Sequence, residues 1–262
     1  AIDLLSGSDD PYGFEKTKRG EREIKLPIDF SNDFLLDLTA SMEASDGQGH
    51  SLKEYQKMFV MSALYHGFEI NRQLAYFAGE LADLPFISNH LLSIHGDDQF
   101  RELTSGEKEI TMTQLTELFQ ILDQTEQGAG DMVSALERYR SALFSQPEMM
   151  EKIKSGKMVK TLTILTDGNL WCSACGEESC SYSLHTESAN KSRMIVEELR
   201  KTGVIVNAIG FTERSQPVVE IFDSAEKPGS AVVVSDITQA IAMHHGQMVK
   251  SWEIIKKVAE LR

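Results

Sequence analysis

Asp37, Thr39 and Ser41 stand at every second position of the stretch FLLDLTASM, residues 34–42, directly after three apolar residues. On an extended backbone alternate residues face one side, so one carboxylate and two hydroxyls would point the same way. A second apolar run, KTLTILTDG at 160–168, ends in Asp167 and Gly168. If the two runs are neighbouring strands, two carboxylates and two hydroxyls meet at one spot. All four donors are oxygens, the set that hard divalent cations such as Mg²⁺ take, with several waters retained. The same residues also have a structural reading, in which Asp37 caps a turn and the two hydroxyls satisfy nearby backbone groups.

A second constellation lies in CSACGEESCSYSLH, where Cys172, Cys175, Cys180 and His185 are spaced C-x2-C-x4-C-x4-H. Three thiolates and one imidazole make a complete tetrahedral Zn²⁺ set. The spacing is that of a zinc knuckle with the last two ligand types exchanged, and Gly176 stands where knuckles carry a glycine. A loop with so little apolar content would take its folding free energy from the metal. The alternative is a loop with free thiols or one chance disulfide. These are the only three cysteines of the chain, and an odd, clustered set is not a disulfide framework. It points to a reducing compartment, hence a cytoplasmic setting, or to a local metal site.

The elements that must position these groups follow from periodicity. Residues 1–32 are polar and charged and read as an N-terminal arm or linker, and residues 33–38 as the first strand. Ser51 and Glu54 form a capping-box pattern before a helix with Leu52, Tyr55, Met58, Phe59, Ser62 and Ala63 on one face. QLAYFAGEL (73–81) and DLPFIS (83–88) read as two short strands, antiparallel to each other. The segment 89–130 holds one helical pattern, TMTQLTELFQILDQ, between polar flanks and reads as an insertion. Asp131 caps the helix of MVSALERYRSALF. Strand 160–168, a helix over 188–202 ending at Gly203, strand 203–211, strand 230–236 and an amphipathic last helix capped by Asp236 complete the chain. Strands that are continuous apolar runs, alternating with helices, predict an α/β fold: a doubly wound, mostly parallel central sheet flanked by helices, Rossmann-like, with one short antiparallel edge strand. Ligands of such sheets bind beyond the carboxyl ends of the strands, where Asp37 and Asp167 stand.

DLTAS resembles the D-x-S-x-S signature of von Willebrand factor type A (vWA) domains, with Thr39 in place of the first serine. LTILTDG resembles the strand that carries the second part of that family's metal site, and ELRKTGVIVNAIGFTE and AVVVSDITQAI resemble its last two strand–helix steps. The likeness spans roughly residues 33–250 of a vWA-like domain at 33–262. It implies a metal-ion-dependent adhesion site (MIDAS) in which Thr39 and Ser41 bind Mg²⁺, or Mn²⁺ or Ca²⁺, through their hydroxyls. Asp37 and Asp167 would bind directly or through water, and an Asp or Glu from a protein partner would complete the octahedron. The family places a threonine ligand in a G-G-T loop; here the loop reads GAGDM and Gly130 holds that position, with Asp131 next to it as the substitute ligand. Intracellular members work beside AAA+ ATPases as adaptors in assembly or metal insertion, which implies that setting here.

A formal net charge of −14 repels nucleic acid phosphates and anionic membranes and suits cations and basic partners. No apolar run approaches the length of a membrane span. A haloacid dehalogenase-type phosphohydrolase also ends its first strand in aspartate, but needs a second aspartate two positions on, where this chain has Thr39. No nucleophile–base pair or phosphate-binding glycine loop is visible. The sequence therefore predicts a non-enzymatic interaction module, with a metal-dependent hydrolase or a degenerate, metal-free scaffold as the rivals.

Overall fold

The computed structural model describes residues 29–45, 49–78, 87–94, 100–105, 111–123, 131–168, 187–211, 213–224 and 230–235, and a few single positions beyond. At its centre, β1 (Asp29–Asp37) runs parallel to β2 (Ile87–Ile94) on one side and to β4 (Met158–Leu165) on the other. Beyond β4 follow β5 (Ile205–Phe211) and β6 (Ala231–Val234), both parallel. Beyond β2 lies β3 (Phe100–Ser105), the antiparallel member. Among the described residues the sheet has six strands, in the order β3-β2-β1-β4-β5-β6. The fold is thus the expected α/β architecture with its single antiparallel edge strand.

Strand β1 is buried from Phe30 to Asp37, so its alternating side chains feed both cores. Leu35 joins Leu162 and Ile164 under α3 (Met132–Phe144), α4 (Pro147–Lys154), α5 (Glu187–Lys201) and α6 (Gln216–Phe222). Phe34 and Leu36 join Phe59, Val60 and Leu64 of α1 (Leu52–Ala78) and Leu118 and Leu122 of α2 (Met112–Asp123). Helix α1 opens with the expected capping box: Ser51 N–H donates to Glu54 Oε2 at 2.9 Å, and Glu54 N–H to Ser51 Oγ at 3.2 Å.

Several boundaries differ from the sequence expectation. β1 starts at Asp29 rather than residue 33, because Ser31, Asn32 and Asp33 are polar yet buried. The run from 73 to 78 is the last part of α1, not a strand. A helix already under way adds residues at little cost, whereas a new strand needs a partner, and short apolar runs do not distinguish the two. Of the expected strand at 83–88, Ile87 and Ser88 open β2, and residues 83–86 lie outside the described residues. The segment 89–130 contains most of β2, all of β3 and α2, so much of it belongs to the sheet and its cover. Among the described residues no helix is long and apolar enough to cross a membrane.

Candidate metal centre

Strands β1 and β4 lie side by side in parallel register, Leu36 opposite Leu165, so their carboxyl ends come together. Asp37 is the last residue of β1, and Asp167 follows β4 by two positions. Both are buried. The chain does not continue extended after Asp37. It turns into a 3₁₀ helix over Ala40–Glu43, so Ser41 reaches the site by a turn rather than by strand alternation. The hydroxyls still converge: Thr39 Oγ1 donates to Asp37 Oδ1 at 2.7 Å, and lies 3.1 Å from Ser41 Oγ. Thr39 N–H donates to the same Oδ1 at 3.1 Å.

The other oxygen of Asp37 is taken by a residue that sequence reasoning missed. Thr166 Oγ1 donates to Asp37 Oδ2 at 2.6 Å and accepts from Gly168 N–H at 3.1 Å. Gly168 has φ +80°, and an added Cβ would stand 3.1 Å from Val218 Cγ2 and from its backbone nitrogen, so only glycine suits this turn. Gln56 of α1 was also missed. It is buried, and its Nε2 donates to Leu165 O at 3.2 Å, tying the end of β4 to α1. Lys53, one turn earlier, donates to Glu43 Oε1 of the 3₁₀ turn at 3.2 Å and to Asp123 O of α2 at 2.5 Å. The signal for both was the capping box, which fixes where α1 starts and therefore which residues of its first turns face the strand ends.

Burial pushes the Asp37 carboxyl up from the ordinary 3.8 to about 6; the charge of Asp167 pushes the same way, and the bonds from Thr166 and Thr39 pull back. Two buried carboxylates that repel each other, lined by hydroxyls, are a donor set into which a hard divalent cation fits. Asp37, Thr39, Ser41 and Asp167 would hold it, and the ion would supply positive charge and an open position for an outside oxygen ligand. Among the described residues no group of three or more His, Cys, Asp or Glu side chains gathers at one point, so hydroxyls would have to be ligands here.

Asp131 sits at the start of α3 as its N-cap: Oδ1 accepts from Ser134 N–H at 3.0 Å and Oδ2 from Ser134 Oγ at 2.8 Å. Gly130 and the four candidate zinc ligands, Cys172, Cys175, Cys180 and His185, lie outside the described residues.

No protein-family profile and no curated protein sequence matches the chain. Solved structures do. The pilus adhesin SpaC from Lactobacillus rhamnosus GG aligns with 87% of this chain and 31% of its own, at 14% identity and a TM-score of 0.56. A mutant of the PilB minor pilin from Streptococcus sanguinis aligns with 89% of this chain and 64% of its own, at 15% identity and a TM-score of 0.53. The chain thus spans about a third of the adhesin's length, and at these identities the likeness is one of fold. That fold is vWA-like, a six-stranded, mostly parallel sheet between helices with the candidate donors at its carboxyl edge.

Proposed function

We propose that this chain is a non-enzymatic protein-interaction module that grips an acidic side chain of a partner through a divalent cation, Mg²⁺ or in its place Mn²⁺ or Ca²⁺. The observation that carries the reading is the convergence of Asp37, Thr39, Ser41 and the charge of Asp167 at the ends of two adjacent parallel strands. Asp131 would enter as a ligand through the lone pairs left beside its two bonds from Ser134, or by releasing one of them. Waters and the partner's carboxylate fill the remaining positions. Mn²⁺ titration of the chain and of Asp37→Ala tests this: the wild type holds the ion and the variant does not. Equal retention by both sinks it.

An adaptor role beside an AAA+ ATPase, in the cytoplasm, is the setting we propose, supported by the clustered thiols of 172–180 and by the family resemblance of the motifs. The role of adhesin belongs to the pilus protein with the similar fold. The metal-free scaffold is the second reading. It is favoured by the fact that both oxygens of Asp37 already accept hydrogen bonds from within the chain. The hydrolase reading needs a general base beside the ion, and Mg²⁺-dependent turnover of simple phosphoesters would be its support.

We also propose a structural Zn²⁺ held by Cys172, Cys175, Cys180 and His185. The support is the four-ligand spacing, in a stretch whose first cysteine stands five residues after Asp167 in the sequence. Elemental analysis of the purified chain tests it. About one zinc per chain, lost in Cys175→Ser, is expected, and a zinc-free, folded chain overturns it.

A further inference from the structure

We infer that Thr166 is the positioning residue of the cation site: its one hydroxyl sets both the carboxylate of Asp37 and the turn that carries Asp167. The inference rests on the cation reading above. A hydroxyl has one hydrogen and two lone pairs. Here the hydrogen goes to Asp37 Oδ2 at 2.6 Å, and a lone pair receives Gly168 N–H at 3.1 Å. The threonine itself has no freedom to drift. Its side chain is fully buried, and its N–H is held by Ile209 O of β5 at 3.3 Å. Gly168 is wedged against Pro217 and Val218 of α6, which fixes the far end of the link.

The hydroxyl is thus a side-chain bridge at the ends of two paired strands, where two repelling carboxylates stand. With Oδ2 held by Thr166 and Oδ1 by Thr39, the carboxylate plane of Asp37 is defined before any ion arrives. An ion that displaces the Thr39 hydroxyl hydrogen from Oδ1 still meets a carboxylate kept in place through Oδ2. Outer partners of this kind orient ligating carboxylates, and their loss typically costs about 10–100-fold in metal affinity. Thr166→Val keeps the shape and removes both bonds; Thr166→Ser keeps both bonds.

The test is Mn²⁺ binding to the full chain, read as free Mn²⁺ by electron paramagnetic resonance, for wild type, Thr166→Val and Thr166→Ser, each checked for folding by circular dichroism. The expected result is a dissociation constant raised about 10–100-fold in Thr166→Val and close to wild type in Thr166→Ser. A merely structural threonine would lower the melting temperature of Thr166→Val without changing its Mn²⁺ affinity, and that outcome overturns the inference. A folded Thr166→Ser chain that loses as much affinity overturns it too, even if Thr166→Val does not fold. A wild-type chain that holds no Mn²⁺ overturns the cation reading and this inference together, which separates the two failures.

Discussion

Asp167 acts on Asp37 across the ends of two neighbouring strands: burial makes the charge of Asp37 hard to hold, and the charge of Asp167 makes it harder. The consequence is a cost that the metal-free fold carries near neutral pH. Asp37 binds its proton more tightly folded, at about 6, than unfolded, near 3.8. Between those two values the native state holds more protons than the unfolded one, so stability falls as pH rises. The shift corresponds to up to about 3 kcal/mol, fully felt above pH 6 and absent below pH 4. Asp37→Asn removes the charge; its amide nitrogen can donate to Thr166 Oγ1, which still accepts from Gly168. In urea unfolding without metal, this variant should be more stable than wild type at pH 7.5, with the gap shrinking towards pH 4.5. A variant less stable than wild type at both values would show that the Asp37 charge is already compensated within the fold.

The same linkage sets the pH dependence of ion binding. An ion needs Asp37 ionised, so below about pH 6 it must displace a proton. Apparent Mn²⁺ affinity should be flat above pH 7 and fall about tenfold for each pH unit below 6. Isothermal titration in two buffers of different ionisation enthalpy checks it: uptake of about three-quarters of a proton by buffer at pH 5.5, and almost none at pH 7.5. Equal heats at pH 5.5 would contradict it.

The strand ends that carry Asp37 and Asp167 were legible because continuous apolar runs mark buried parallel strands. The hydroxyl at Thr166 was not, since a threonine in a strand is an ordinary β-former and nothing local says which carboxylate it will meet. The polar start of β1 was hidden for a related reason. Ser31 and Asp33 are buried because their partners, Lys160 and Tyr139, lie more than a hundred positions away. Periodicity reads neighbours along the chain, whereas these residues are explained only by neighbours across the fold. Ser41 was placed in the site by alternation, but arrives there through the 3₁₀ turn.

The Asp33–Lys160 pair should be costly to halve and cheap to replace whole. Lys160 Nζ lies 2.7 Å from both carboxylate oxygens of Asp33, with both side chains about 5% exposed, and also donates to Ser31 Oγ at 2.8 Å. Tyr139 OH donates to Asp33 Oδ2 at 2.7 Å, and burial beside that carboxylate raises the phenol well above its usual range. Lys160→Ala leaves a buried carboxylate without its cation and should destabilise by about 3–5 kcal/mol. Lys160→Met with Asp33→Leu and Tyr139→Phe removes both charges and the phenol hydroxyl at once, leaves only the Ser31 hydroxyl without its lysine donor, and should lose much less. Denaturant midpoints of the two variants decide it. A triple variant as unstable as Lys160→Ala would mean that the cluster's worth lies in packing, not in paired charge.

Helix α1 presses on β2 at one point where there is no room for a methyl group. A Cβ on Gly67 would sit 2.2 Å from Asn89 Nδ2 and 3.3 Å from its Cγ. Asn89 cannot simply swing away, because its Oδ1 accepts from Asn32 Nδ2 at 3.2 Å, and Asn32 Oδ1 in turn accepts from Thr161 Oγ1 at 2.8 Å. Alanine is the better helix former, worth about 1 kcal/mol over glycine in an open helix. Overpacking at a fixed neighbour costs about 1–3 kcal/mol, so the clash should outweigh the propensity. Gly67→Ala is therefore expected to destabilise, against the rule for helix interiors. Combined with Asn89→Ala, which opens the space, the same substitution should turn neutral or stabilising, and a double-mutant cycle should return a coupling above 1 kcal/mol in magnitude, about the size of the relieved clash. Additive effects of the two changes would mean that α1 shifts to admit the methyl group, and that the close approach of helix and strand is not what requires glycine at 67.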